Sequence, residues 1–204
     1  MSGTDFNAKQ ILIVDTKAGN LFSLKAAIER LGFAVTILDR PNQGQFDGVV
    51  IPGQGRFGTV MKNLSQNGWP EYLKQVYQQS IPMLGICVGM QILFESSQED
   101  PEANGLGWFK GKVEKLEFPK KPMVGWATLT SQIWPEAIVY FVNSYALQSS
   151  DISIASTTYG ETFCAAVSSG SFVGMQFHPE KSGRVGIELI SQVLDGNLGD
   201  QTNE

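Results

Sequence analysis

The stretch Leu84-Gly85-Ile86-Cys87-Val88-Gly89-Met90-Gln91 constrains what this chain can fold into more than any other part of it. The apolar residues from Pro82 to Ile86 read as a buried strand that runs directly into a helix from Gly89 to about Phe94, with Cys87 at the corner between Gly85 and Gly89. A turn this sharp forces the corner residue into a sparsely populated backbone conformation, and a side chain at either glycine collides with the neighbouring turn or an incoming substrate. The thiol is pushed into the open at a helix N-terminus, whose partial positive charge favours thiolate over thiol. Backbone amides there, notably that of Val88, are free to hydrogen-bond an oxyanion. The same spacing also suits a structural cysteine at a tightly packed junction, so a second motif has to decide between nucleophile and packing.

The surrounding pattern is that of a wound sheet. Ile11 to Val14 is a short apolar run closed by Asp15, and Leu21, Leu24, Ala27, Ile28 and Leu31 then fall on one helical face before Gly32. Strands follow at Phe33 to Leu38 and at Asp47 to Ile51, the latter stopping at Pro52-Gly53, and Asn63 to Gln79 reads as helical around Trp69-Pro70. Short apolar strands alternating with helices predict a doubly wound parallel sheet covered on both faces. The second half changes character. Gly107 to Phe118, Met123 to Leu129, Ala137 to Tyr145, Ile152 to Thr158, Thr162 to Val167 and Ser171 to Phe177 are strand-like with turn residues between them, which predicts antiparallel pairing before a last helix from Val185 to Leu194. The expected fold class is therefore α/β, mostly parallel, with additional antiparallel strands in the C-terminal half. At 204 residues, a single domain spanning 1–204 is expected, with a structured core from about 10 to 195 and polar termini.

Composition narrows the function classes. A formal net charge of −5 provides no electrostatic footprint for nucleic acid. No apolar run reaches the ~20 residues that span a bilayer, and the polar start from Met1 to Gln10 lacks the apolar core of a signal peptide. A cytoplasmic location is expected. There thiols stay reduced, so Cys87 and Cys164 are judged separately; Cys164 has no elbow or neighbouring base and reads as a buried apolar residue. No cluster of cysteine, histidine and carboxylate has metal-ligand spacing, and the glycine-rich Gly53 to Gly58 lacks the lysine and hydroxyl of a nucleotide loop. No metal and no cofactor are expected.

The chain contains a single histidine, His178, so any imidazole chemistry must use it. It follows the strand ending at Phe177 and precedes Pro179-Glu180, which places a base and a carboxylate two residues apart at a strand end. A cysteine nucleophile needs an imidazole to take and return a proton, and the imidazole needs an acceptor that fixes its tautomer. Cys87, His178 and Glu180 supply these roles. Taken alone, a histidine at a strand end is more often structural, and the elbow reverses that preference.

Gly85-Ile86-Cys87-Val88-Gly89-Met90-Gln91 and Gln176-Phe177-His178-Pro179-Glu180-Lys181-Ser182 together resemble the class I, triad-type glutamine amidotransferases. With Pro52-Gly53-Gln54-Gly55, Gly19-Asn20-Leu21, Gly125-Trp126 and Tyr140 to Tyr145, residues 10 to 195 resemble the glutaminase-subunit family of imidazole glycerol phosphate synthase. The resemblance implies a flavodoxin-like sheet, with Cys87 attacking the amide of glutamine, His178 shuttling the proton and Glu180 orienting the imidazole. It implies an oxyanion site formed by Val88 and the Gly53-Gln54-Gly55 loop, whose glycines make a peptide flip sterically feasible. It also implies glutamine binding by Gln91, Glu99, Ser144 and Tyr145, with Glu99 accepting the α-ammonium. The ammonia would pass to a separate (β/α)-barrel cyclase subunit in a heterodimer, with Asn20, Trp126 and Lys181 at the interface. Read by type alone, these three are a turn or cap asparagine, a core aromatic and a solvated lysine.

The chain departs from the family pattern at three places. Met123-Val124-Gly125-Trp126-Ala127 stands where histidine, a small apolar residue and Gly-Trp-Asn are usual, Asn143 stands where histidine is frequent, and Asp15-Thr16-Lys17 replaces aspartate-tyrosine-glycine. None touches the triad, and all lie in segments that face or communicate with the synthase subunit in the family. They leave open a paralogous amidotransferase that feeds another acceptor, such as a surface-sugar amidine. A non-catalytic regulatory binding module is a further alternative.

Overall fold

The computed structural model describes residues 8–19, 21–117 and 122–197. In chain order the elements are β1 (Gln10–Val14), α1 (Phe22–Arg30), β2 (Ala34–Leu38), β3 (Gly48–Ile51), α2 (Phe57–Gln66), α3 (Trp69–Gln78), β4 (Met83–Ile86) and α4 (Val88–Gln91). They are followed by β5 (Ser96–Ser97), β6 (Lys112–Lys115), β7 (Met123–Ser131), β8 (Ala137–Asn143), β9 (Tyr145–Leu147), β10 (Ser153–Tyr159), β11 (Glu161–Ser169) and β12 (Phe172–Met175). A 3-10 turn at Pro179–Lys181 leads into α5 (Gly183–Asp195).

A nine-stranded sheet has the order β2-β1-β3-β4-β12-β11-β10-β7-β8. Its first five strands are parallel neighbours, and from β12 to β8 every pairing is antiparallel. The two regimes follow from residue pattern. Gly48–Ile51, Met83–Ile86 and Phe172–Met175 are buried at every position, as required of strands covered on both faces. Met123–Ser131 and Ala137–Asn143 alternate between buried and more exposed positions, the signature of a sheet with one open face. A small sheet of order β5-β6-β9 packs against the large one, with β9 next to β11 and Val113, Ala146 and Leu147 in the common core. Helices α1 and α5 lie side by side, as do α2 and α3. Among the described residues no helix is long and apolar enough to cross a membrane.

Local structure differs from the sequence expectation at several points. The helix expected over Asn63 to Gln79 is two helices, because Gly68 takes a left-handed backbone (φ 79°) and its amide closes on the carbonyl of Ser65, which re-aims the chain before Trp69-Pro70. The helix expected from Gly89 to Phe94 is the single turn α4. The carbonyls of Ile92, Leu93 and Phe94, which would continue it, accept instead from the amides of Leu106, Trp108 and Gly107. The strand expected over Gly107 to Phe118 is confined to Lys112–Lys115, with Phe118 outside the described residues. Ala137 to Tyr145 is not one strand: it breaks at Ser144, and its two parts enter different sheets. A period-two pattern reports which face a side chain takes, not where the strand changes partner.

The sheet order also sets where chemistry can occur. β4 and β12 are parallel neighbours with Met175 paired to Ile86, so both strands end at the same edge of the sheet. Cys87 and His178 emerge there, at the carboxyl ends of adjacent strands, where open α/β sheets place their ligands.

Candidate active site

Cys87 occupies the corner after β4 with φ 49° and ψ −112°, a conformation unusual for a residue with a side chain and costing on the order of 1–3 kcal/mol. The surroundings enforce it. A Cβ on Gly89 would lie 2.1 Å from the carbonyl oxygen of Ile51, and one on Gly53 would lie 2.0 Å from that of Ile86. Backbone atoms therefore close in on the elbow from β3 and from the following loop, and only glycine fits between them. The Cys87 amide donates to the carbonyl of Met175 at 2.7 Å, tying the corner to β12.

His178 is anchored from three sides. Its amide donates to the carbonyl of Tyr140 on β8 at 2.8 Å, and its carbonyl accepts from Ser182 Oγ at 2.7 Å. Ser182 Oγ in turn accepts from the amide of Tyr140 at 2.9 Å. The ring nitrogen Nδ1 faces Glu180 Oε1 at 2.9 Å, and both side chains are 5% exposed. Burial is the strongest single influence on His178 and opposes its charged form. Hydrogen bonds and charge attraction from Cys87 and Glu180 together outweigh it and lift the imidazole from 6.5 to about 9. Among the described residues the buried second oxygen of Glu180, Oε2, has no hydrogen-bond partner, so the imidazole is the carboxylate's main compensation there.

A cleft of about 360 Å³ opens over this pair. Its walls include Cys87, Val88 and His178, the loop residues Gly53, Gln54 and Gly55, and also Gln91, Glu99, Ser144, Tyr145 and Lys181. These sequence-predicted residues thus converge on one cavity from the ends of β3, β4, β8 and β12 and, for Glu99, from the loop after β5. Val88 opens the turn α4, so its amide has no acceptor within that turn. Glu99 has a second occupation: Oε2 accepts from the amide of Phe57 at 2.8 Å, capping α2 just beyond the Gly53–Gly55 loop. Gln91 is 3% exposed, and its Nε2 donates both to the Tyr145 carbonyl at 3.1 Å and to Gln176 Oε1 at 2.9 Å.

Two predicted positions fall elsewhere. Trp126 is 57% exposed on β7, packed edge-on against Tyr140 across the strand pair at a ring separation of 5.6 Å, so it is neither core nor part of the cleft. Asn20 lies outside the described residues. Cys164 is buried and unpaired, with its thiol pushed up by burial.

Several residues had no assigned role in the sequence reading. Gln176 is fully buried and its Nε2 donates to Cys87 Sγ at 3.4 Å. Ser182 braces His178, and Val142, Asn143 and Pro122 line the cleft. For Gln176 a signal existed: it is the one polar side chain in the run Phe172-Val173-Gly174-Met175-Gln176-Phe177. The others are recruited from segments whose sequence reports only strand and turn.

A nucleophile on a strained elbow, a buried imidazole–carboxylate pair beside it and backbone amides facing the same cleft make an acyl-transfer site. The chain belongs to the class-I glutamine amidotransferase family, whose model matches residues 12–194. Solved structures agree on the fold. A crystal structure described as glutamine amidotransferase superimposes with a TM-score of 0.75 at 18% identity, covering 91% of this chain and 98% of that one. A putative GMP synthase component from Thermoplasma acidophilum gives 0.70 at 18% identity, with 94% of each chain covered. Within the family the chain is similar to imidazole glycerol phosphate synthase subunit HisH. The protein of that name from Carboxydothermus hydrogenoformans is 40% identical over 195 residues, which are 90% of this chain and 98% of the relative. Those from Vibrio cholerae and Exiguobacterium sibiricum are 38% and 42% identical, over 92% and 89% of this chain and 98% and 93% of theirs.

Proposed function

We propose that this protein serves histidine biosynthesis as the glutaminase subunit of imidazole glycerol phosphate synthase. The observation that carries the reading is the meeting of Cys87 with the His178–Glu180 pair at adjacent strand ends, in a chain aligned with HisH proteins over nearly its whole length.

The Cys87 thiolate attacks the side-chain amide carbon of glutamine. The resulting oxyanion is held by the Val88 amide and by an amide of the Gly53-Gln54-Gly55 loop. The imidazolium of His178, oriented by Glu180 at its Nδ1, gives the proton of its other ring nitrogen to the departing nitrogen, so ammonia leaves and a glutamyl thioester remains. His178 then takes a proton from water, hydroxide adds to the thioester, and glutamate is released as the thiolate re-forms. An imidazole lifted to about 9 is protonated at neutral pH, which suits it to act first as acid beside a thiolate. Gln91, Glu99, Ser144 and Tyr145 hold the substrate around the cleft.

The ammonia is taken up by a separate (β/α)-barrel cyclase subunit. That partner docks over the open face carrying Trp126, with Lys181 at the cleft mouth and Asn20 completing the interface. Biosynthetic work of this kind belongs in the cytoplasm, where reducing conditions protect a thiolate nucleophile.

The test is glutamate release by the co-purified complex. Cys87→Ala is expected to lower it by roughly 1,000-fold or more while leaving the complex assembled. A glutamine-analogue electrophile should label Cys87 alone. Undiminished turnover in the Cys87→Ala complex would overturn the reading, and full turnover by the isolated chain would count against its dependence on the partner.

A further inference from the structure

Gln176 has no exposed surface, yet it sits among apolar residues at the end of β12. A carboxamide in such a place persists only when its donors and acceptor are used. Its Nε2 donates to Cys87 Sγ at 3.4 Å, and its Oε1 accepts from Gln91 Nε2 at 2.9 Å. The second N–H of Gln91 goes to the Tyr145 carbonyl at 3.1 Å. With both N–H groups of Gln91 committed, the only group it has left to offer the cleft is its carbonyl oxygen.

The direction of this chain is set by its backbone end. The Tyr145 carbonyl only accepts hydrogen bonds, so Gln91 must turn its NH2 toward Tyr145 and Gln176, and its oxygen toward the substrate. Gln176 must then present its oxygen to Gln91 and its NH2 to the Cys87 sulfur. Each carboxamide is thereby held in one of its two flip states.

We propose that Gln176 is a catalytic and positioning residue: it donates a hydrogen bond to the Cys87 sulfur and, through the same amide, fixes Gln91 as an acceptor that selects substrates bearing an N–H donor. This rests on the glutaminase reading. A fixed acceptor fits the NH2 of a carboxamide and leaves the oxygen of an ester or carboxylate unpaired, so the relay favours glutamine over its oxygen analogues.

The experiment compares wild type, Gln176→Leu, Gln176→Met and Gln176→Glu, each co-purified with the cyclase subunit. Two quantities are read: the pH profile of Cys87 alkylation by iodoacetamide, and the ratio of kcat/KM for glutamine to that for glutamate γ-methyl ester. In Leu and Met the sulfur loses a donor and Gln91 its acceptor. The alkylation midpoint should move up and the amide-to-ester ratio fall by about tenfold or more. Glu keeps an acceptor for Gln91 but sets a negative oxygen against the sulfur. It should move the midpoint furthest while retaining more of the ratio than Leu. A residue that merely filled space would move neither quantity. If any folded, assembled variant leaves both within twofold of wild type, the inference is overturned. Should Leu and Met fail to assemble, Glu alone decides it through the midpoint. Wild type is the control for the underlying reading: no glutamate release from the wild-type complex removes the glutaminase assignment itself, whereas normal wild-type turnover with indifferent variants removes only the role of Gln176.

Discussion

The two halves of the large sheet obey different rules. In the parallel half, β3, β4 and β12 are buried at every residue, and the loops at their ends press against one another closely enough that Gly53 and Gly89 admit no Cβ. In the antiparallel wing, β7 and β8 keep one face open, and Val124, Trp126 and Ile138 are more than half exposed on it. The nucleophile and base stand on the first half; Val142 and Asn143, at the end of β8, line the same cleft from the second, and Ser144 and Tyr145 line it where the chain passes on into the small sheet. The contrast teaches that acyl-transfer geometry is built where the chain cannot move, and that surface for association is left where the fold has no need to cover it.

The sharpest way to break this contrast is Gly89→Ala. The added methyl meets the carbonyl of Ile51, which is backbone and cannot step aside. Denaturant unfolding should show a loss of roughly 3 kcal/mol. Glutaminase activity should fall by about 100-fold or more, since the elbow would shift under Cys87. A fully active, stable variant would mean that the elbow is less rigid than described.

A smaller effect comes from His178. Its folded-state value lies above the unfolded one, so the fold favours the imidazolium. The stabilisation is fully present below pH 6.5 and is lost as pH rises through about 9, with no more than about 3 kcal/mol at stake. The stability advantage of wild type over His178→Gln, followed by urea unfolding between pH 6 and pH 10, should therefore shrink with rising pH. An advantage that grows would reverse the sign argued for the triad.

The smallest effect on stability belongs to the wing. Trp126→Ala should change the stability of the isolated chain by less than about 1 kcal/mol, because the indole is largely outside the core. Its association with the cyclase subunit should weaken by about tenfold or more, as expected of a central aromatic anchor. Unchanged affinity would place the partner on another face.

Much of the parallel half was legible in the residues. β1, β3 and β4 are apolar runs ended by turn residues, and the glycines around Cys87 announced the elbow because only a backbone collision demands them at both positions. The wing was legible as strands but not as a topology: nothing in Ala137 to Tyr145 marks Ser144 as the point where the chain leaves one sheet for another. The short α4 was hidden for a related reason, since its helix is ended by carbonyls bonded to residues 106–108, far along the chain. Trp126 misled when read by type, because a strand aromatic has no local mark of whether its face will be covered.

By itself the sequence determined the chemical parts: one histidine, a cysteine at a forced corner and a carboxylate two residues beyond the base. Those follow from local sterics and residue type, which act over a few positions. Only the tertiary structure decided that β4 and β12 lie side by side, so that residues separated by half the chain share one edge. It alone turned Gln176 from a polar residue in an apolar strand into a donor to the sulfur. Pairing between distant strands is chosen by burial of the whole sheet, and no single segment contains that information.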